Sequence, residues 1–507
     1  MESGRLLAHS DEPSSAASKH GDGRGGWRAA LFIIAVGFLE RVGFYGVQGN
    51  LMMYLTGLMG MSMAAAAAAA NAWGGTVMVL TLVGALAADS HLGRYRAVVA
   101  AGVLYLLSLG MLTVSSTLQP KHPRPASCNG GATACLPPPS PTSRLAFFYA
   151  ALYLLALAQG FHKPCSEAIG ADQFADDADP GANTSRSSYF NWFHFSTSWG
   201  YAVATTWLSY VEDNVSWTVG FAVCWATMVL YLAVFLLGTG TYRATAERPI
   251  DGATRRDVRR GRAHVDEEGV LPQGCHLHRT DITLFTKQGS TMNRNVGGGL
   301  VVPPAALQFA ISVTIVTLLP VYDRALVPLA RRLTRHPAGI TTLQRVGAGM
   351  AMSGLAMAVA ALVEAKRLRA ASDAGLVDRP DATVPTSVWW LVPQFVLLGT
   401  SKVFGLIVLE EFFYDQVPVE LCSVGLAVSL SVLGVGSYAS GVLVSAIDWV
   451  TRGGGESWFS DNLNRAHLDY FYWILAALAA LEVAIFVYIA KRYVYKNKGE
   501  VSENLQY

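Results

Sequence analysis

Residues 31–47 read LFIIAVGFLERVGFYGV, an apolar stretch that carries one carboxylate, Glu40, and one guanidinium, Arg41, near its centre. A helix needs roughly 20 mostly apolar residues to cross about 30 Å of hydrocarbon, and the apolar run around this pair extends over 29–56. A charged side chain inside a span costs at least a few kcal/mol of insertion free energy, so each one marks a candidate functional site. This stretch therefore predicts a membrane-spanning helix that carries a polar site.

Ten further stretches of similar length and hydropathy follow along the chain. The predicted spans form a group of six and a group of five, at 29–56, 66–88, 96–117, 145–169, 189–211 and 216–238, and then at 298–321, 341–364, 387–410, 422–447 and 468–491. Within hydrocarbon, backbone polar groups must be bonded internally, which favours helices. We expect an all-α membrane protein with a six-helix lobe at 29–238 and a second lobe of five spans at 298–491.

The composition excludes two other classes of protein. The chain has 507 residues, of which 52% are hydrophobic and only 15% are charged, so a soluble globular domain is not expected. The formal net charge is only +2, and lysines and arginines fall mostly in loops and at span ends. This distribution gives no sign of nucleic-acid binding.

The positive charges beside the first six spans predict the orientation. Residues 1–28 are rich in Ser, Gly and Ala and lack the apolar core of a signal peptide, which is typical of a disordered cytosolic tail. Seven arginines on one side face three basic residues on the other, and they are Arg24, Arg28, Arg94, Arg96, Arg186, Arg243 and Arg248 against Lys121, Arg124 and Arg144. This excess predicts a cytosolic N-terminus. Both the plasma membrane and the vacuolar membrane fit these features.

The gap between the two groups of spans, at 239–297, has no apolar run long enough to cross a membrane. It includes the basic run RRDVRRGR at 255–262 and several glycines. The first lobe has two spans before its basic turn at 89–96, whereas the second has one span before a similar turn at 322–335. In a carrier made of two parallel repeats, the missing helix would lie just upstream of 286–294. We expect 239–297 to be a cytosolic linker without a span, and 492–507 to be a C-terminal tail.

Other charged residues inside spans allow more than one interpretation. Lys163, Lys402, Glu410 and Glu411 could face one cavity together with the pair at 40 and 41, where they would hold protons and a charged solute. Alternatively, Lys163 snorkels to the cytosolic face, and Lys402 pairs with a neighbouring carbonyl. The pair at 40 and 41 could also be an ion pair that only joins helices, and the two glutamates could mark the end of a span.

No metal, cofactor or enzymatic nucleophile is expected. His91, His162 and His194 are scattered along the chain, and no group of His, Cys or carboxylate residues has the spacing of metal ligands or of a nucleophile and its base. A membrane-embedded enzyme is therefore the weakest of the functional hypotheses. Cys128 and Cys135 share one loop, where they could form a local disulfide or remain free thiols.

Several motifs together resemble one family. They are ERVGFYGVQGNLMMYLT at 40–56, GALAADSHLGRYR at 84–96, HKPC at 162–165, GADQF at 170–174, SYFNWFHF at 188–195, FTKQGSTMNR at 285–294, LQRVGAGM at 343–350, EFFYDQVPVEL at 411–421 and WFSDNLNRAHLDYFYW at 458–473. In this set the chain resembles the plant nitrate and peptide transporters of the proton-coupled oligopeptide transporter family, within the major facilitator superfamily. The resemblance covers nearly the whole chain, and it implies a twelve-helix, two-lobed carrier in which helix seven is missing.

The resemblance also implies roles for individual residues. Glu40 and Arg41 match the second Glu and the Arg of the family's E-x-x-E-R motif, Tyr45 matches a Tyr that lines the site, and Lys163 and Glu411 match charged residues of helices four and ten. In the family such residues serve proton coupling and the binding of charged solute groups.

The turn at 84–96 implies a conformational gating motif, and one position departs from the family pattern. Gly84, Asp89, Gly93 and Arg94 are the motif residues of this turn. Gly37 stands where the family has the first Glu of E-x-x-E-R. This replacement removes the usual carboxylate partner of the helix-four Lys and puts proton coupling through that pair in question.

The sequence thus predicts a secondary active transporter that carries nitrate, small peptides or related small solutes with protons by alternating access. The expected partners are this solute, protons and the lipid bilayer, without nucleic acid, and the expected state is a monomer. The alternative is a membrane protein that does not transport, namely a relic, a sensor-like protein or the product of a truncated gene model. The missing span and Gly37 favour this alternative.

Overall fold

The computed structural model describes most of the predicted bundle. The described residues are 25–118, 142–174, 182–243, 278–295, 297, 301–326, 332, 342–406, 422–453 and 457–491. Several predicted features lie outside them, and these are most of the N-terminal tail, the loop with Cys128 and Cys135, the basic run at 255–262, Glu410, Glu411 and the C-terminal tail. Most of the turn at 322–335 also lies outside them.

The N-terminal lobe is built from the first group of predicted spans. Its helices are α1 (Gly26–Gly57), α2 (Met63–Ala87), α3 (Arg94–Thr117), α4 (Thr142–Asp172), α5 (Ala182–Val203), α6 (Ser209–Asn214) and α7 (Trp217–Leu237). A π turn at Ala88–Leu92 extends α2, and another at Ala204–Leu208 joins α5 to α6. Pairs such as α3 with α4 and α2 with α4 pack along their length, so this lobe has a continuous core.

The C-terminal lobe follows the second group of spans. Its helices are α9 (Phe309–Val321), α10 (Thr342–Asp373), α11 (Val392–Ser401), α12 (Cys422–Arg452) and α13 (Leu468–Ala490). Turns of 3-10 helix precede two of them, at Pro304–Gln308 before α9 and at Val388–Leu391 before α11. Two short strands, β1 (Met292–Asn293) and β2 (Val384–Ser387), pair in parallel.

Each of the eleven predicted spans coincides with a helical stretch in the described part of the chain. Among the described residues, nine helices are long and apolar enough to cross a bilayer. Large apolar side chains such as Leu31, Leu237 and Val442 remain exposed on their outer faces, as expected for contact with lipid. The prediction of an all-α membrane bundle is confirmed.

A short helix, α8 (His278–Ser290), lies within the range that the sequence predicts to be linker. It packs against α1 and α2 of one lobe and against α10 and α12 of the other, and it buries Leu284 and Phe285. Its 13 described residues extend about 20 Å, which is less than the thickness of the hydrocarbon layer. Hydropathy does not predict this helix because much of its sequence is polar. Its burial depends on contacts with helices that lie elsewhere in the chain. The last part of 239–297 therefore differs from the predicted cytosolic linker.

The two lobes make their most extensive contact where α2 meets α12. A Cβ atom on Gly75 would lie 2.9 Å from the carbonyl oxygen of Gly434, and a Cβ atom on Gly434 would lie 2.8 Å from that of Gly75. These distances leave no room for a side chain, so both positions require glycine for the close approach. Beside them, the hydroxyl groups of Thr76 and Tyr438 share a hydrogen bond of 2.6 Å.

A fully buried ion pair fastens one end of the C-terminal lobe. Arg367 on α10 pairs with Glu364 at 2.6 Å, and neither side chain is exposed. The same guanidinium donates to Asn464 Oδ1 at 2.9 Å and to the carbonyl oxygen of Leu463 at 2.6 Å, in the loop before α13. Losing one member of a buried pair leaves an uncompensated charge, which destabilises a protein strongly.

Arg367→Met should therefore destabilise the protein by about 3–5 kcal/mol, because Glu364 would remain buried without its cation. The double variant Glu364→Gln with Arg367→Met should recover much of that loss, since it buries no charge. Thermal unfolding in detergent measures both. The control is Arg465→Ala in the exposed pair with Asp378, which should change stability by less than about 1 kcal/mol. Equal effects of Arg367→Met and Arg465→Ala would contradict the prediction.

Candidate functional site

Glu40 lies inside the N-terminal lobe, where only 1% of its side chain is exposed. The Tyr105 hydroxyl of α3 donates to Glu40 Oε1 at 3.2 Å. Glu40 Oε2 lies 3.6 Å from Arg41 Nε and 3.9 Å from Nε2 of His162 on α4. The carboxylate thus has polar partners from three helices, as a buried charge requires.

A second layer of polar side chains holds these partners. The Tyr105 hydroxyl also hydrogen-bonds Gln159 on α4. His162 Nδ1 and the Tyr231 hydroxyl of α7 share a bond of 2.8 Å. Sequence reasoning treated His162 as a lone histidine and did not single out Tyr105, Gln159 or Tyr231. Their one visible signal was the presence of polar groups inside apolar spans.

Arg41 and Tyr45 lie between this buried cluster and the other lobe. The guanidinium carbon of Arg41 lies 5.6 Å from the centre of the Tyr45 ring, which meets the Tyr201 ring of α5 edge-on at 4.7 Å. On the far side, Lys402 Nζ of the C-terminal lobe lies 5.6 Å from the centre of the Tyr201 ring. Two cations, one from each lobe, therefore flank a pair of tyrosine rings at distances typical of cation–π contacts.

Gln308, just before α9, connects this pair of rings to α1 and α8. It accepts a bond from the Tyr201 hydroxyl at 2.6 Å and donates to the carbonyl oxygen of Gly49 at 3.1 Å and to Thr286 at 3.0 Å. The neighbouring Lys287 of α8 donates to Thr56 of α1 at 3.1 Å. Sequence reasoning missed Gln308 and these contacts of α8, because the bonded residues lie far apart along the chain.

Lys163 is half-buried on α4, just before the proline at 164. Within the described ranges, no side chain forms a hydrogen bond or an ion pair with its ammonium group. The position expected to supply its partner is Gly37, where a Cβ atom would lie 2.7 Å from a ring carbon of Phe193 on α5. Phe193 therefore occupies the space that a side chain at 37 would need.

The predicted gating residues gather where α2, α3 and α4 meet. Arg94 Nη1 pairs with Asp172 Oδ2 at 2.7 Å, and Arg94 Nε lies 3.5 Å from Asp89 Oδ1. Gly93 has φ of +74°, which favours glycine. Gly84 has another role, since a Cβ atom there would overlap the carbonyl oxygen of Gly160 on α4. Asp172 was not among the predicted site residues, although it lies in the GADQF motif.

Two helical lobes with charged and aromatic side chains at their interface are typical of the class of two-lobed membrane carriers. A family model described as the POT family matches residues 95–256 and 276–459. The stretch between the two matched parts falls inside the predicted linker. The chain belongs to the POT family, and the predicted resemblance is confirmed. It is therefore a multi-pass membrane transporter and not an enzyme.

Curated relatives and solved structures agree with this family. The chain is 45% identical to protein NRT1/PTR FAMILY 5.10 of Arabidopsis thaliana over 531 aligned positions, which cover 93% of this chain and 94% of the relative. It is 42% identical to protein NRT1/PTR FAMILY 5.16 of the same plant, over 94% of each chain. The crystal structure of an auto-inhibited POT family peptide transporter has a TM-score of 0.72 at 19% identity and covers 93% of this chain and 98% of its own.

Placing the family's glutamate at position 37 should harm this protein. Gly37→Glu would collide with Phe193, so we expect a lower yield of folded protein and a lower unfolding temperature. The double variant Gly37→Glu with Phe193→Ala should recover part of both, because the smaller side chain makes room. Size-exclusion chromatography and thermal unfolding measure the outcome. A stable Gly37→Glu variant would show that Phe193 does not restrict this position.

Proposed function

We propose that the protein is a secondary active transporter that moves nitrate, a small peptide or a related small solute together with protons. The observation that carries this proposal is the row of Arg41, Tyr45, Tyr201 and Lys402, which joins the two lobes. Two cations beside aromatic rings suit a solute with an anionic or carboxylate group.

Lys163 is the third cation of this proposed site. Its helix, α4, packs against α1, which carries Arg41. Since the ammonium group of Lys163 has no partner among the described residues, it is available to an anionic group of a solute. We assign Arg41, Lys163 and Tyr45 to solute binding and Glu40 to proton exchange, with Glu411 as a further candidate outside the described residues.

Contacts at one end of the bundle support transport by alternating access. The backbone N–H of Met63, at the start of α2, donates to Asp461 Oδ1 of the other lobe at 2.7 Å. Lys287 and Thr56 meet at the same end, and so do the first half of α2 and the second half of α12. With the predicted cytosolic N-terminus, this is the outer end. We infer that the lobes rock about the central row, and that this conformation is closed on the outside.

The second candidate is a membrane protein that does not transport. It is favoured by α8, whose described residues, His278–Ser290, are too few to span the bilayer at the place where the family plan has helix seven. Sequencing of the transcript across the codons for 262–285 separates the two candidates. An additional helix-encoding segment would overturn the relic hypothesis, whereas its absence would favour that hypothesis.

We also propose that the transporter acts as a monomer in the plasma membrane or the vacuolar membrane. A fluorescent fusion observed in plant cells distinguishes the two membranes. The mass of the detergent-solubilised protein, measured by light scattering, tests the monomer.

Uptake measurements in oocytes test the proposed transport function. We expect accumulation of nitrate, of dipeptides or of a plant hormone, and stronger accumulation at acid than at neutral pH, because protons would drive it. Uninjected oocytes are the control. No accumulation of any of these solutes, with the protein at the cell surface, would contradict the proposal.

Lys163→Ala should abolish uptake, with a decrease of at least tenfold, about 1.4 kcal/mol, because the solute loses a cation. Its surface expression should match the wild type, since Lys163 has no bonding partner within the described ranges. The matched control is Lys366→Ala, whose ammonium lies 3.2 Å from the centre of the Trp390 ring on another surface. Retained uptake in Lys163→Ala would remove this residue from the site.

A further inference from the structure

We propose that Glu167 and His194 form the proton-binding pair that couples protons to solute movement in this chain. The inference rests on the proposed transport function and adds two residues to it. The sequence motifs alone do not give this role to either residue. In the structure they join α4 to α5, since His194 Nε2 lies 3.7 Å from Glu167 Oε1.

The pair is partly buried between α4 and α5. The side chain of Glu167 is 15% exposed, and that of His194 is 31% exposed. An imidazole nitrogen can bind and release a proton, and in this pair it lies next to a carboxylate.

The charged surroundings connect the pair with the solute site. Arg41 on α1 has a favourable electrostatic interaction with Glu167, and Glu40 lies beside Arg41. The hydroxyl of Tyr189 on α5 interacts electrostatically with Glu167 and with Asp172 at the end of α4. Asp172 itself is held by Arg94 of α3. A movement of the Glu167 carboxylate between His194 and Lys163 would therefore change the electrostatic field at Arg41, a cation that we assign to the solute.

Lys163 supplies the second partner that a switch requires. It lies four residues before Glu167 on α4, and this spacing places the two side chains on one face of the helix. The position that would otherwise offer Lys163 a carboxylate is Gly37, and Phe193 fills the space there. Glu167 is thus the carboxylate that α4 itself can offer to Lys163.

The resulting step moves one proton. A proton from water binds Nε2 of His194, and the imidazolium holds Glu167 by charge, which leaves Lys163 free for the solute. When the proton leaves Nε2 for water on the other side, the neutral imidazole no longer attracts Glu167 as an ion. Glu167 then pairs with Lys163 and competes with the solute for this cation, which lowers the affinity for the solute in the deprotonated state. Protonation of the pair and occupancy of the site are coupled in this way.

Two transport assays in proteoliposomes separate coupling from binding, with nitrate and dialanine as parallel probes. Uptake driven by a proton gradient requires coupling, whereas counterflow exchange requires only binding and rocking of the lobes. Glu167→Gln should lower proton-driven uptake at least tenfold and leave counterflow within about twofold of the wild type. The matched control, Asp378→Asn in an exposed ion pair far along the chain, should change neither assay.

The pH profile provides the second test. His194→Gln removes the imidazole that binds the proton in this proposal, so the pH of half-maximal uptake should move by about one unit or more. An unchanged profile in His194→Gln, or wild-type proton-driven uptake in Glu167→Gln, would overturn the inference while transport itself stood. Loss of counterflow together with uptake in Glu167→Gln would also overturn it, since the residue would then act in binding. Absence of transport of both probes by the wild type would overturn the proposed function and this inference with it.

Discussion

The burial of a carboxylate in a lipid-embedded bundle is the constraint on which much of the N-terminal lobe depends. Glu40 is almost completely enclosed, and hydrocarbon offers no water to solvate it. Its partners must therefore come from the protein, and Tyr105 and His162 bring α3 and α4 against α1 to supply them. These helices are fixed around Glu40. Arg41 is the next residue along α1, and it faces the interface between the lobes.

The interface combines close packing with polar contacts that can be exchanged. Glycines at 75 and 434 let α2 and α12 approach with almost no side chain between them. Nearer the centre, the rings of Tyr45 and Tyr201 and the amide of Gln308 link the lobes by weak, directional contacts. Such contacts can break and reform at little free energy, which suits two rigid lobes that move against each other. In the C-terminal lobe, the buried pair of Arg367 and Glu364 joins α10 to the loop before α13.

Local properties of the chain explain which predictions from the sequence succeeded. Hydropathy over about 20 residues is a local property, so the positions of the eleven spans and the all-α class could be predicted. The charges inside spans also made Glu40, Arg41 and Lys163 candidate site residues, and their roles stay predictions. Helix α8 was not predicted, because its burial comes from four helices elsewhere in the chain rather than from its own composition. Gly37 was interpreted only as a lost carboxylate, although its neighbour Phe193 lies more than 150 residues later.

The sequence by itself determined that the chain spans a membrane as a bundle of helices, because the cost of exposing polar backbone to hydrocarbon acts on each segment separately. Its motifs also determined the family. Only the tertiary structure decided which side chains meet, such as Glu167 with His194 and Lys402 with Tyr201. These pairings depend on the register and rotation of packed helices, which short-range packing and hydrogen bonds set after the segments are in the membrane.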